Sequence, residues 1–264
     1  MSHLVRAEFR RLFATRLWIW AVAAAVVIGG GLVGLLTVIG PENVNPPLPG
    51  LDTEAGIRAV LGLAGLGVIV PALFGATAVT SEYRHRTISA TFLFAPRRWS
   101  VLAAKLLVYL VAGVAYGLIT TIAAGIALYA GMAVRDIPAG APLDVVVSLL
   151  LRLVVAMAAY TVLGVGIGAL VRNQVLALAG LGAYLYMGEN LLLFVPGVNM
   201  AYPFLPGGAT AALTNFTALT QVADDTTGAA PQLLSPQAGA GLLIAYALAA
   251  ALLAVVLPLR RDVT

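Results

Sequence analysis

Residues 57–80 read IRAVLGLAGLGVIVPALFGATAVT, and residues 81–105, which follow directly, read SEYRHRTISATFLFAPRRWSVLAAK. The first stretch carries a single charge, Arg58, and is long enough to cross the hydrocarbon core of a bilayer, which takes about 20 apolar residues of helix. The second gathers Glu82, Arg84, Arg86, Arg97, Arg98 and Lys105 in a chain whose Asp, Glu, Lys and Arg content is only 10%. An apolar run of that length, stopped abruptly by a basic segment, reads as a membrane-spanning helix emerging at a charged surface. Pro71 sits inside the run, removes one backbone hydrogen bond and predicts a kink there.

The rest of the chain repeats the pattern. Hydrophobic residues make up 61% of the 264 residues, well above the roughly 45–50% of soluble domains. Runs near the spanning length fall at approximately Leu17–Ile39, Ile57–Thr80, Val101–Ala130, Val145–Val171, Val175–Val195 and Ala240–Leu259. Backbone groups in lipid must be paired within the segment, so these runs are helices. The expected fold is therefore all-α: a polytopic membrane protein of six transmembrane helices in a single domain, residues 1–264.

Lys and Arg set the orientation. With the N-terminus inside, inner segments hold 12 of the 15: Arg6, Arg10, Arg11, Arg16, Arg84, Arg86, Arg97, Arg98, Lys105, Arg172, Arg260 and Arg261. Outer segments hold Arg58 and Arg135, while Arg152 falls within a span. The positive-inside rule then predicts that both termini are cytoplasmic. The first run, at about 23 residues, is too long for the 7–15-residue apolar region of a signal peptide. Before it, in residues 1–16, Val5, Phe9, Leu12 and Phe13 share one side of a helix, with Arg6 and Arg10 on the other. That pattern predicts an interfacial helix with its arginines toward anionic head groups.

Much chemistry is missing. No G-x-x-x-x-G-K-[ST] phosphate loop occurs, since the one Lys, Lys105, follows Ala104. There is no G-x-S-x-G or H-E-x-x-H motif, and no cysteine. The two histidines, His3 and His85, are remote in sequence and give no metal motif. The net charge of +4 comes from residues beside apolar spans rather than from a basic arm, so nucleic acid is not an expected partner. The chain is expected not to be an enzyme, and to bind no metal or cofactor itself.

Two charges fall inside spans, Arg152 in the fourth and Glu189 in the fifth. Each costs a few kcal/mol on insertion scales and calls for a partner or water. The tight connection Arg172-Asn173-Gln174 makes the two spans antiparallel neighbours. Arg152 and Glu189 are thus either an intramembrane ion pair or, with Tyr184, Tyr186 and Asn190, the polar lining of a substrate path. Glycines four apart (Gly30/Gly34, Gly113/Gly117, Gly164/Gly168) allow close helix contact but assign no particular interface. Residues 196–237, the longest outer connection, read as a re-entrant segment with short helices, then a surface loop around Asp224, Asp225, Thr226 and Thr227.

In the island, residues 81–99, Glu82 and Arg86 are four apart in the favourable order for an ion pair on a helix. The apolar and hydroxyl stretch from Thr87 to Phe94, including Thr91, is too short to span; Pro96 stops it and Arg97 and Arg98 hold the next end at the surface. A short helix across the cytoplasmic face is expected. Glu82-x-Arg84-x-x-Thr87, then Pro96, Arg97-Arg98 and Ala104-Lys105-Leu106-Leu107, resembles the permease subunits of type-two ABC exporters of the daunorubicin and multidrug class. Arg86 departs from many relatives, which have Gly before the Thr.

The resemblance implies a permease in a bacterial cell membrane, paired as a homo- or heterodimer with a second permease. Two cytoplasmic ABC ATPase subunits would bind ATP and Mg2+. The stretch Glu82–Thr91 would be the coupling helix, docking beside the N-terminal surface helix and driving export of an apolar or amphipathic cargo. The alternatives are an ATPase-linked scaffold or signalling subunit without cargo, and a secondary transporter, although no repeated halves are evident.

Overall fold

A computed structural model describes residues 2–85, 98–171, 173–228 and 231–256. Nine helices order the described chain: α1 (Ser2–Ala14), α2 (Leu17–Ile39), α3 (Glu54–Arg84), α4 (Arg98–Val134), α5 (Leu143–Leu170), α6 (Gln174–Leu193), α7 (Pro206–Thr214), α8 (Ala218–Thr227) and α9 (Pro236–Val256). No strand occurs among the described residues. Six helices, α2 to α6 and α9, are long and apolar enough to cross a membrane. The predicted six-span, all-α reading holds, with α3 and α4 longer than expected. At 1.5 Å per residue, the 37 residues of α4 span roughly 55 Å, more than the hydrocarbon thickness, so α4 must extend beyond the core or tilt.

Helix α5 is the hub. Lipid tails are as apolar as leucine, so spans associate through close packing rather than hydrophobic transfer, and small residues mark the seams. A β-carbon on Gly164 would lie 2.0 Å from the Ala72 carbonyl oxygen of α3, and one on Gly168 2.6 Å from that of Ala76. On another side of α5, Thr161 and Val154 fill the space left by Gly113 and Gly117 of α4, while Gly166 meets Ala250 of α9. Gly30 and Gly34 of α2 face Ala123 and Ala127 of α4. All three glycine pairs are thus used within the chain.

Three spans depart from α geometry. The run Val27–Leu32 in α2 and the turn Tyr184–Gly188 in α6 are π-helical, and Ala64–Val68 in α3 is 3-10. The last has a local cause. The ring of Pro71 would clash with the carbonyl four residues back, at Gly67, and the tighter 3-10 winding just before it relieves that contact. Thr53 starts α3 by accepting a hydrogen bond from Gly56 N–H at 3.1 Å.

The segment before α9 is mostly helical. After a 3-10 stretch, Asn199–Phe204, α7 buries nearly its whole length against α9 and α5, and Asn215 ends it in the left-handed conformation (φ 54°). The expected surface loop around Asp224 is instead the exposed side of α8, which Gly228 closes with φ 69°. The short helices expected in this segment include α7. The loop reading missed α8, where Leu219 and Ala223 pack on Leu193 and Tyr202.

Candidate functional site

Two polar clusters stand out against the apolar packing. The first lies where α1, the end of α3 and the start of α4 converge. Lys105 Nζ donates to Glu8 Oε2 at 2.7 Å and to Glu82 Oε1 at 2.9 Å. Arg11 Nη1 donates to the same two carboxylates, to Glu8 Oε1 at 3.0 Å and Glu82 Oε1 at 2.9 Å. Among the described residues, two acids and two bases thus meet. The Glu8 and Lys105 side chains are only 5% and 4% exposed, whereas Arg11 is about half exposed. Buried charges need such mutual compensation, because removing one partner strands another without solvent.

Local sequence explains the convergence. In α1, Glu8, Arg11 and Leu12 are three and four residues apart and share one side of the helix. Leu12 is buried among Phe74, Ala78 and Val79 of α3 and Val108 and Tyr109 of α4, with Val5 and Phe9 packed at the edge. Arg6 and Arg10 are exposed, on the side of α1 away from the spans. Phe13 is not on the packed side: it is 59% exposed and meets Trp18 edge-on at 5.7 Å. Leu12, Val5 and Phe9, on the apolar side of α1, therefore pack against the spans.

Of the predicted coupling residues, Glu82 belongs to this cluster, and Arg84, exposed at the end of α3, donates to Gln174 Oε1 of α6 at 3.3 Å. Arg86, Thr87, Thr91, Pro96 and Arg97 lie outside the described residues, and so does the expected Glu82–Arg86 pair; Arg98 opens α4. Glu8, Arg11 and Lys105 were missed as partners of Glu82. A signal for them existed. Lys105 is the one lysine in the chain, Glu8 the one acid in residues 1–16 and Glu82 the one acid in residues 81–105.

The second cluster surrounds α7 and corrects an expectation. Arg152 and Glu189 do not meet. The Glu189 carboxylate Oε2 accepts the Gly207 N–H at the start of α7, and Arg152 Nη1 donates to the Leu213 carbonyl at its end, at 3.4 Å. Each charge satisfies a backbone group that a helix end leaves open and has the sign that complements the helix dipole there. Two charges that looked like partners in sequence bracket a short buried helix between them.

Beside the start of α7 lies a cavity of about 70 Å³ lined by Glu189, Asn190, Tyr160, Tyr186, Tyr202 and Thr210, among others. Thr210 Oγ1 lies 3.1 Å from the Tyr160 hydroxyl, and the Tyr186 hydroxyl donates to the Leu66 carbonyl in the 3-10 turn of α3 at 3.4 Å. Burial, with the nearby Glu189 charge, pushes the Tyr202 hydroxyl up, so it stays protonated. Tyr184 lies next to Glu189 but is not among the cavity-lining residues. The substrate-path residues therefore separate, with Glu189, Tyr186 and Asn190 at the cavity and Arg152 in an open groove with Asp144 and Gln237.

Residues 4–187 match the family model described as ABC-2 family transporter protein, a stretch running from α1 into α6 that includes the whole α1–α3–α4 charge cluster. No curated protein matches the chain.

Proposed function

The chain belongs to the ABC-2 family of transporter proteins, and from that premise we propose that it is the permease subunit of an exporter driven by a separate ATPase. Two permeases, identical or homologous, form the membrane path in a bacterial cell membrane. Cytoplasmic ABC ATPase subunits bind ATP and Mg2+, and the cargo is an apolar or amphipathic compound such as a drug, an antibiotic or a lipid. Both termini and the segment 81–99 face the cytoplasm.

One observation carries the reading: Glu8, Arg11, Glu82 and Lys105 lock α1, α3 and α4 together. The segment between α3 and α4 is the proposed coupling element, and the lock joins the two spans that flank it. A push delivered there would move α1, α3 and α4 as one body, and α5 is packed on both spans. ATP acts only through differential affinity for two arrangements of the permease. A rigid joint between docking surface and spans would link closure of the ATPase to such a change.

The test is to purify the chain with a partner ABC ATPase, sought first in the neighbouring reading frames, and to compare Lys105→Met with wild type. We expect the complex to assemble, with cargo-stimulated ATP hydrolysis reduced at least tenfold. A variant that assembles and exports at the wild-type rate would remove the lock from the mechanism. ATPase binding without cargo-dependent hydrolysis or export in the wild type would favour the scaffold alternative.

A further inference from the structure

The cavity beside α7 holds an acid without a cation. The Glu189 residue is 1% exposed; Oε2 takes the Gly207 N–H and the Tyr184 hydroxyl lies beside the carboxylate, but Oε1 is buried with no hydrogen bond of good geometry and no cation. None of the described residues that line the cavity is Lys, Arg or His. The start of α7 contributes roughly half a positive charge, directed at one of the two oxygens. The remaining charge must be met by a proton or by a cation from outside, because an isolated buried carboxylate is unfavourable by many kcal/mol.

The lining favours the cation. Tyr160, Tyr186 and Tyr202 supply aromatic rings, and Asn190 and Thr210 add polar atoms. Aromatic rings around a carboxylate suit an organic ammonium, which gains from both the ring quadrupoles and the negative charge. A divalent metal fits poorly: Ca2+ takes 6–8 oxygen ligands, and no group of three His, Cys, Asp or Glu occurs among the described residues. About 70 Å³ accommodates a head group and not a whole amphiphile.

The cavity touches the 3-10 turn of α3 and the π turn of α6, where Tyr186 and Met187 are 51% and 62% exposed, and Leu191 one turn on is 62% exposed, on an apolar side of α6 left open in the single chain. We infer that this cavity seats the ammonium group of a cationic amphiphile, whose apolar tail lies in the bilayer along α6. Calling that amphiphile the cargo rests on the exporter reading; the binding itself does not.

The test uses the full chain in zwitterionic phosphatidylcholine nanodiscs at neutral pH, with octylammonium chloride, octanol and sodium octanoate as probes and the thermal midpoint as readout. A ligand that binds the folded state raises that midpoint. Octylammonium should do so at concentrations at least tenfold below those needed for octanol, and octanoate should have no specific effect. Glu189→Gln keeps an acceptor for Gly207 and should erase the preference for the ammonium. Tyr186→Phe should keep it and Tyr186→Leu weaken it several-fold; because Tyr186 is half exposed, this pair tests the site even if Glu189→Gln fails to fold. Equal responses to octylammonium and octanol would mean that Glu189 holds a proton, and would overturn the assignment. So would an unchanged preference in Glu189→Gln. With the ATPase present, octylammonium should stimulate ATP hydrolysis in the wild type but not in Glu189→Gln. Selective binding without stimulation keeps the site and counts against its use for cargo.

Discussion

Lys105 carries the highest stakes of any single side chain, because it is 4% exposed and two carboxylates converge on its ammonium group. Lys105→Met leaves Glu8 and Glu82 without the ammonium they share, with the half-exposed Arg11 still beside them. Breaking a buried ion pair by removing one partner costs about 3–5 kcal/mol. We expect a loss of that order in reversible unfolding of the reconstituted chain. Replacing Glu8, Lys105 and Glu82 together by Leu, Met and Leu should recover most of it, since apolar groups of similar volume are often neutral there. If the triple variant is as unstable as the single one, the cluster is more than a compensated set of charges. Glu42 offers a contrast in scale: it pairs with Arg135 at an exposed position, and that guanidinium holds its carboxyl below the usual carboxylate range. A folded-state value below the unfolded one stabilises the fold above the unfolded value, and the benefit is lost as pH falls through the folded value. Glu42→Gln should therefore lower the thermal midpoint slightly at pH 7, by less than about 1 kcal/mol equivalent. The gap between variant and wild type should close in acid.

At the scale of elements, α7 shows how a short helix is held inside apolar surroundings. Its nine residues are bracketed by Glu189 at the start and Arg152 at the end, on different backbone groups. Arg152→Leu and Glu189→Leu should therefore each destabilise the chain, with losses that add within about 0.5 kcal/mol, as independent sites do. A double variant markedly milder than the sum would restore the direct pair. The glycine seams make a sharper claim. Gly164→Ala drives a methyl group into the Ala72 carbonyl and should cost about 1–3 kcal/mol or more. Gly180→Ala in α6 meets nothing within 4 Å and should be neutral, or stabilising by up to about 1 kcal/mol. Measuring both by thermal unfolding separates packing from helix propensity. The spans were legible because lipid imposes a length and a composition that a linear scan detects. The partners of Arg152 and Glu189 were not, since they are backbone groups of a helix whose burial no periodicity announces. Glu82 was legible as a candidate from the charged island, but its partners Glu8 and Lys105 are 74 and 23 positions away, and only their scarcity by type pointed to them.

For the whole molecule, burial divides the six spans unevenly. In their most apolar stretches α3 and α5 are 72% and 61% buried, whereas α2 and α6 are 22% and 17% buried and offer their sides to lipid or to another subunit. The α1–α3–α4 charge cluster sits at one end of this arrangement, and Glu42, Arg135 and the short helices before α9 belong to connections at the other. If the distribution of Lys and Arg orients the bundle, these ends face opposite sides of the membrane. The chain has no cysteine, so single cysteines placed on exposed residues report sidedness without background. His3→Cys and His85→Cys should resist a membrane-impermeant maleimide in intact cells and react after permeabilisation. Asn43→Cys and Gln221→Cys, exposed at the other end, should react before it. Labelling of all four from one side would break the six-span count. Labelling of His85→Cys from outside would reverse the bundle, and with it the placement of the charge cluster where a cytoplasmic ATPase can reach it.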